Sequence, residues 1–209
     1  MAGKRMPMRA LFLNATLKPS PEASNTEALA RVVADALTAA GVECSFVRLA
    51  DHRIDPGVVS EAVTEGDQWP AIHERILSAD ILVMATPTWL GQPSSLCQRA
   101  LERMDAMLSE TDDGGVPVAY NKVAGIVVTG NEDGAHHIIA NVGQALNDIG
   151  YTQPGQNWTY WNKGPGPSDV EYTASDEQEW SDSTGRACAQ NLLSVARALH
   201  AQPIPAPPA

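Results

Sequence analysis

Three uninterrupted apolar runs constrain the fold of this 209-residue chain more than any other feature. They are Arg9–Asn14 (RALFLN), Asp80–Ala85 (DILVMA) and Val123–Val128 (VAGIVV). A run without polar alternation is typical of a strand that is covered on both faces, as in the centre of a parallel sheet. Segments with helical patterning separate the runs. This alternation favours an α/β domain whose parallel strands are joined by right-handed crossovers.

Weaker patterns complete the predicted domain. A second strand is predicted over Glu43–Leu49 and a short fifth strand over Thr159–Trp161. Asp51–Gly66 and Asp112–Gly115 are rich in turn-forming residues and are predicted as loops. Helices are predicted over five segments with Ala-rich or periodic apolar patterns: Ala28–Ala40, Asp67–Ser78, Ser94–Leu108, Gly134–Ile149 and Ser175–His200.

Local signals at the predicted helix ends support these boundaries. Ser24 and Glu27 have the spacing of a capping box, in which each side chain binds the backbone amide of the other. Gly41 and Gly150 follow two of the helices, where glycine commonly ends a helix. We predict one domain over residues 1–200. The remaining residues 201–209 are rich in proline and are predicted to be extended or disordered.

Composition excludes several classes of function. The formal net charge is −11 and the sequence pI is about 4.7. This acidity argues against nucleic acid and anionic membrane surfaces as partners, because both need clustered Lys and Arg. No apolar run approaches the roughly 20 residues of a membrane span. No apolar stretch follows the basic N-terminal residues as in a signal peptide. We therefore predict a cytoplasmic protein.

The cysteine and histidine patterns give no support for a metal site. Cys44, Cys97 and Cys188 are far apart and form no C-x-x-C motif, so we expect reduced thiols without zinc or an iron–sulfur cluster. His136 and His137 are adjacent in a predicted helix, where neighbouring side chains diverge by roughly 100°. They are therefore interpreted as helix-surface residues, although one of them could face a bound ligand.

The polar loop after the first strand is a candidate anion site. Asn14–Thr26 supplies several hydroxyl and amide groups and Lys18, and it leads directly into a helix N-terminus. Free backbone N–H groups and the helix dipole favour an anion at such a place. A polar loop before an ordinary capped helix is the alternative interpretation. Neither a G-x-G-x-x-G sequence nor a P-loop motif is present, so Rossmann and P-loop sites lack their usual support.

Two further loops follow the third and fourth strands. The first is Thr86–Ser95, in which Gly91 would permit close backbone approach to a flat ring and Trp89 adds apolar area. The second is Thr129–Ala135, in which Gly130 and Gly134 could let the backbone approach a ligand edge. Each could be a structural turn when taken alone. In an open parallel sheet, however, loops at the carboxyl ends of the strands meet at the ligand site.

Together these three loops, within Met8–Trp161, resemble the NADPH-dependent FMN reductase family of the flavodoxin-like superfamily. The branch allied with iron–sulfur flavoproteins is the most similar. The first loop is longer than the compact Gly-Ser-x-Arg form of many members. The cluster-binding cysteines are absent, so the resemblance implies FMN without a cluster. It also implies a flavodoxin-like three-layer sandwich with helices on both faces of a five-stranded parallel sheet, in the order 2-1-3-4-5.

The resemblance implies that the first loop holds the FMN phosphate and that the other two border the isoalloxazine ring. The residues predicted to bind the cofactor are Asn14, Thr16, Lys18, Ser24, Asn25, Thr26, Pro87, Thr88, Trp89, Leu90, Gly91, Thr129, Gly130, Asn131 and Gly134. No catalytic side chain is assigned, because the cofactor carries the chemistry. Glu132 and Asp133 are interpreted as ordinary charges beside a helix N-terminus.

The predicted function is that of an FMN-dependent oxidoreductase. It would take a hydride from NADPH or NADH and reduce a quinone, free flavin or another small acceptor, as a homodimer or homotetramer. The alternatives are an FMN electron carrier without nicotinamide turnover and a flavin-free binding module. The aromatic segment Trp158–Trp161 either packs into the core or forms a wall for the acceptor, and the Gly164–Pro167 run after it favours a shaped, exposed loop.

Overall fold

A computed structural model describes residues 7–164 and 169–208 of the chain. Its centre is a sheet in which the strand order is β2-β1-β3-β5-β6, with every neighbouring pair parallel. A two-residue strand, β4, pairs antiparallel with the end of β3. The strands are β1 (Arg9–Asn14), β2 (Glu43–Arg48), β3 (Ile81–Trp89), β4 (Gln92–Pro93), β5 (Val123–Gly130) and β6 (Trp158–Asn162).

Helices cover both faces of the sheet. They are α1 (Asn25–Ala39), α2 (Trp69–Ser78), α3 (Ser95–Met104), α4 (Ala135–Ile149) and α5 (Glu179–Ala201). The helices α1 and α5 share one buried apolar cluster, and α2, α3 and α4 share the other. Alternate residues of β1 enter the two clusters: Phe12 packs with α1 and α5, whereas Leu13 packs with the opposite helices. The predicted flavodoxin-like sandwich and its strand order are confirmed.

The main difference from the predicted elements lies after the third strand. The strand was expected to end at Ala85, but β3 continues to Trp89 and turns back into β4. Two interactions carry this extension: Pro87 lies in register with Thr129 of β5, and Trp89 pairs with Gln92. The predicted loop is therefore a β-hairpin. The predicted fourth and fifth strands are β5 and β6.

The predicted capping box is half correct. The Ser24 hydroxyl accepts a hydrogen bond from the Glu27 amide at 3.1 Å, as expected for an N-cap. The Glu27 carboxylate, however, binds the guanidinium of Arg48 at 2.6 Å and that of Arg31 at 2.5 Å. A charged partner attracts the carboxylate more strongly than a backbone amide does. Glu27 therefore ties α1 to the end of β2.

A fully buried arginine organises the long loop between β2 and α2. Arg103 of α3 forms an ion pair with Asp67, with 2.7 Å between Nη1 and Oδ2. Its guanidinium also donates hydrogen bonds to the carbonyl oxygens of Asp55, Val59 and Glu61. The sequence pattern predicted a loop here but gave no indication of this anchor.

The chain after α5 has no helix or strand up to residue 208. Ile204 is nevertheless bound there: its amide donates to the Asn121 side chain at 2.7 Å and its carbonyl accepts from it at 3.1 Å. Most of the Gly164–Pro167 run, predicted as a shaped loop, lies outside the described residues.

Candidate flavin site

A cleft opens at the carboxyl ends of β1, β3 and β5, where the three polar loops meet. Its volume is about 710 Å³ when the open mouth is included. The residues that line it are Thr16, Leu17, Lys18, Ser24, Asn25, Thr26, Pro87, Thr88, Trp89, Thr129, Gly130, Asn131, Trp161, Val170 and Glu171. Neutral hydroxyl and amide groups dominate one side, and the extended end of β3 forms another.

Asn14 organises the first loop from beneath the cleft. Its side chain is fully buried, accepts a hydrogen bond from the Thr16 amide at 3.1 Å and donates one to Glu27 at 3.2 Å. The Ser24 hydroxyl accepts from the Glu27 amide, so its own hydrogen remains available to a ligand. The first-turn amides of α1 lack partners within the helix. This loop is therefore a cradle of neutral donors for an anion.

Two hydrogen-bonded bridges join this cradle to other parts of the cleft. The hydroxyls of Thr26 and Thr129 lie 2.7 Å apart and are both buried, so α1 and the end of β5 are directly linked. One hydroxyl of the pair must donate to the other, which leaves one hydrogen for a ligand. The side-chain oxygen of Asn25 accepts from the Thr173 hydroxyl at 2.9 Å, so the side-chain NH₂ group of Asn25 remains available as a donor.

The charges around the cradle are largely compensated within the protein. Burial raises the pKa of Glu27, but hydrogen bonds and attraction from Arg48 and Arg31 outweigh burial and lower that pKa below its ordinary value. Glu27 is thus an anion held by two cations. Lys18 lies 3.7 Å from Glu171 in a loose, half-exposed pair at the cleft. Such a pair is weak. Lys18 can therefore turn toward a bound phosphate.

Glycines allow the hairpin and the loop after β5 to pack against each other. A Cβ atom on Gly134 would lie 2.6 Å from the Gly91 Cα, and one on Gly130 would lie 2.8 Å from the Thr88 side chain. At the tip, the Leu90 amide donates to the Glu132 carboxylate at 2.8 Å. The absence of a side chain at Gly130 and at Gly134 therefore lets the hairpin and the loop after β5 pack closely.

The structure brings together most of the residues predicted to bind the cofactor. Four of them do not line the cleft. Asn14 lies below the first loop, while Leu90, Gly91 and Gly134 form the contact between the hairpin tip and the loop after β5. The binding roles of all fifteen predicted residues remain predictions.

Four lining residues were not among the predicted ones: Leu17, Trp161, Val170 and Glu171. Leu17 belongs to the predicted phosphate loop, so its position in the sequence could have suggested it. Trp161 belongs to the aromatic segment that was interpreted from the sequence as either core or an acceptor wall. Val170 and Glu171 come from the segment before α5, which carries no periodic or motif signal. Only the folded chain brings that segment to the cleft.

The aromatic segment divides between the two faces of the sheet. Trp161 is 4% exposed, lines the cleft and packs against Tyr172 with 5.9 Å between ring centroids. Trp158 and Tyr160 point to the other face, where the His136 ring lies 5.6 and 5.1 Å from theirs. Of the predicted aromatic wall, only Trp161 lines the cleft, and Trp161 is also a core residue. His137 lies 3.2 Å from Gln92 at the surface.

One buried polar atom tests whether a flavin fits this cleft. The Thr88 hydroxyl oxygen is buried and has no hydrogen-bond partner, although the residue lines the cleft. An unsatisfied buried hydroxyl costs about 1–3 kcal/mol. A ligand with polar ring atoms would satisfy it. The neutral cradle at the first loop fits a phosphate, so the residues present fit FMN.

The fold and the cleft define a flavodoxin-like α/β protein with a ligand site at the carboxyl edge of its sheet. A family model described as NADPH-dependent FMN reductase matches residues 8–165. The 8-demethyl-8-aminoriboflavin-5'-phosphate synthase of Streptomyces davaonensis is 35% identical over 208 residues, covering 95% of this chain and 80% of the synthase. The chain therefore belongs to the NADPH-dependent FMN reductase family, a family of flavin-dependent oxidoreductases.

Two further similarities place the chain among its relatives. The crystal structure of RosB with bound 8-demethyl-8-formylriboflavin-5'-phosphate matches with a TM-score of 0.83 and 33% identity, over 94% of this chain and 82% of RosB. The divalent metal cation transporter MntH of Mycobacterium bovis is 38% identical over 200 residues, or 93% of this chain, but the chain spans only 29% of that protein's length. Within residues 7–164 and 169–208, no helix is long and apolar enough to cross a membrane.

Proposed function

We propose that this protein binds FMN in the cleft and transfers electrons from NADPH or NADH to a small acceptor such as a quinone or free flavin. The observation that carries the proposal is the arrangement of the cleft: a neutral donor cradle at the first loop and an unsatisfied hydroxyl at Thr88. Bound FMN would supply the redox chemistry, accepting a hydride from the nicotinamide. A quinone acceptor would receive two electrons and one proton as a hydride, and a second proton from solvent.

In this proposal, the residues of the chain bind and orient FMN. Thr16, Ser24 and the amides of the first turn of α1 hold the phosphate, and Lys18 moves from Glu171 to add a charge. The extended backbone of Pro87 and Thr88 borders the ring. No side chain is assigned as an acid or base, because bound FMN would carry the redox chemistry.

The test is anaerobic mixing of the FMN-loaded protein with NADPH and, separately, with NADH. We expect rapid bleaching of the flavin absorbance with one or both donors, followed by its return when a quinone is added. Photoreduction without nicotinamide is the control for an intact flavin. If photoreduction bleaches the flavin and neither nicotinamide does, the protein is an electron carrier. A protein that binds no FMN would be a flavin-free binding module.

A second candidate function follows from two relatives. The synthase named above is 35% identical, and RosB, at 33% identity, holds a flavin phosphate altered at its 8-position. The same cleft could therefore hold FMN as a substrate whose ring is modified. Mass spectrometry of the flavin after aerobic incubation, with and without amine donors, separates the two functions: an unchanged mass supports the reductase and a changed mass supports the synthase.

We further propose a homodimer or homotetramer, as the family resemblance implies. Exposed aromatic area at the edge of the sheet, including Trp180 at 52% exposure on the ring of Tyr160, is compatible with a contact between copies. Sedimentation velocity over a range of protein concentrations measures the assembly directly. A monomer at all concentrations would contradict this proposal.

A further inference from the structure

Residues 170–173, which come shortly before α5, form a strap along one side of the cleft. The Tyr172 side chain is buried, and its hydroxyl donates to the Asp182 carboxylate at 2.6 Å. The amide and the hydroxyl of Thr173 both donate to the side-chain oxygen of Asn25, at 3.2 and 2.9 Å. Two consecutive residues therefore fix the strap, one to α5 and the other to the first residue of α1.

Glu171 directly precedes these two anchored residues and lines the cleft. Its Oε1 lies 3.7 Å from Nζ of Lys18, which belongs to the first loop. The two side chains are about half exposed, so the pair is weak by itself. Because the backbone next to Glu171 is held in place, however, the carboxylate stays within reach of the lysine.

Lys18 is the cation of the cleft. Among the lining residues that the structure describes, it carries the only positively charged side chain. The guanidinium groups of Arg48 and Arg31 both bind the Glu27 carboxylate, so their charge is already compensated. A phosphate in the first loop therefore gains a charged lining residue as its partner when Lys18 leaves Glu171.

We infer that Glu171 is a latch on Lys18, which competes with the flavin phosphate for this lysine, weakens FMN binding and speeds FMN release. This inference rests on the proposed function, because it concerns the same cleft and the same phosphate. Glu171 is a positioning residue, since it acts through Lys18. A latch of this kind suits a cleft that exchanges its flavin with the solution, as modification of a substrate flavin requires.

The strength of the ion pair limits the size of this effect. The apparent affinity for FMN falls with the fraction of the protein in which the lysine is free to bind the phosphate. An ion pair as exposed as this one corresponds to a factor of about five at most. Removing the charge of Glu171 should therefore strengthen FMN binding by up to that factor.

Glu171→Gln is the test variant, because glutamine keeps the length and shape of the side chain and removes its charge. Glu177→Gln is the matched control: Glu177 also pairs with a lysine, Lys163, at 2.7 Å, but neither residue lines the cleft. Calorimetric titrations of the flavin-free proteins with FMN and with riboflavin give the affinities. Flavin fluorescence after rapid dilution gives the rate of FMN release.

We expect Glu171→Gln to bind FMN about three- to fivefold more tightly than the wild type, mostly through slower release. Riboflavin has no phosphate to bind the lysine, so its affinity should be unchanged and should report an intact cleft. Glu177→Gln should match the wild type with both flavins. In a Lys18→Met background, Glu171→Gln should change FMN affinity by less than about twofold, because the two side chains act on one interaction.

Unchanged or weaker FMN binding by Glu171→Gln would overturn the latch. Equal strengthening for FMN and riboflavin would also overturn it, because the effect would not depend on the phosphate. The same gain with and without Lys18 would mean that Glu171 repels the phosphate directly, which contradicts a latch that acts through Lys18. A wild type that bound no FMN would refute the proposed function and the latch together, whereas the other three results refute the latch alone.

Discussion

At the scale of single residues, the proposed cradle would let an acidic protein hold an anion without a basic patch. The ionised Glu27 is neutralised by Arg48 and Arg31, so it leaves no free negative charge beside the first loop. Hydroxyl and amide donors then face the cleft. Neutral donors of this kind bind phosphate through hydrogen bonds and the helix dipole. Affinity should therefore depend on individual hydroxyls.

Thr16→Ala tests this dependence. Removing the hydroxyl should weaken FMN binding by about 1 kcal/mol, close to fivefold, and more if its partner is the charged phosphate. Riboflavin lacks the phosphate, so its binding should barely change. Ser20→Ala is the control, because that hydroxyl lies in the same loop but binds Asp51 at 2.6 Å. Equal losses for FMN and riboflavin in calorimetric titrations would place the phosphate elsewhere.

At the scale of elements, the hairpin and the loop after β5 act as one unit. Gly134 has a φ of 127°, and its missing side chain lets the backbone of Gly91 approach. Leu90 and Glu132 connect the same two elements by a hydrogen bond. The two walls of the cleft are therefore positioned by each other, and disturbing their contact should change the cleft without unfolding the sheet.

Gly134→Ala should push the hairpin away and lower FMN affinity in a folded protein. Gly115→Ala is the control: its φ of 77° is also positive, but nothing lies within 4 Å of the added Cβ atom. Gly115→Ala should lose about 1 kcal/mol of stability from the strained backbone, and Gly134→Ala should lose more because its Cβ atom also meets the Gly91 backbone. Flavin titration should then show weaker binding only for Gly134→Ala. If Gly134→Ala bound FMN as tightly as the wild type, the hairpin and the loop after β5 would not position each other.

The loop before α2 depends on the ion pair of Asp67 and Arg103. Burial raises the pKa of Asp67, but hydrogen bonds from Arg103 and three backbone amides outweigh it and lower the pKa from 3.8 to about 2. The folded state therefore favours the carboxylate. Its contribution, about 2 kcal/mol, is present above pH 4 and is lost as the pH falls toward 2.

Urea unfolding at pH 4 and at pH 2 measures that loss. The wild type should lose about 2 kcal/mol more over this interval than Asp67→Asn, which cannot titrate at this position. Asp113→Asn, in an exposed loop, is the control for replacing an acidic side chain that does not pair with Arg103. If the wild type and Asp67→Asn lost the same unfolding free energy between pH 4 and pH 2, the ion pair with Arg103 would not lower the pKa of Asp67.

Sequence alone predicted the parts of this structure that depend on local pattern. Continuous apolar runs predicted β1, β3 and β5 because a central strand is buried on both faces, and their order along the chain placed the loops at one edge. The hairpin at Trp89 was missed, since its pairing joins residues that carry no strand pattern. Arg103 and Glu171 were missed as well, because their roles arise from contacts with segments distant in sequence.

At the scale of the whole molecule, the cleft rests on the apolar cluster shared by α1 and α5. Trp161 belongs to that cluster and also lines the cleft, so packing and ligand binding meet at one side chain. Its ring lies against Tyr172, in the segment that supplies Val170 and Glu171 to the cleft. Stability and flavin affinity should therefore fall together when this contact is lost.

Trp161→Ala should cost about 3–5 kcal/mol of unfolding free energy, the range for a buried tryptophan. Trp180→Ala, at a site that is 52% exposed, should cost well under half as much. Urea denaturation of both variants at neutral pH makes the comparison. If Trp161→Ala unfolded like the wild type but reacted slowly with quinones, Trp161 would be an acceptor wall and not a packing residue.

The central claim is that the cleft binds FMN with its phosphate in the first loop. Calorimetric titration of the flavin-free protein with FMN and with riboflavin tests it most directly. The predicted result is one FMN per chain, with riboflavin bound at least tenfold more weakly because the cradle loses its hydrogen bonds to the charged phosphate. Equal affinity for the two flavins, or no binding of either, would contradict the claim.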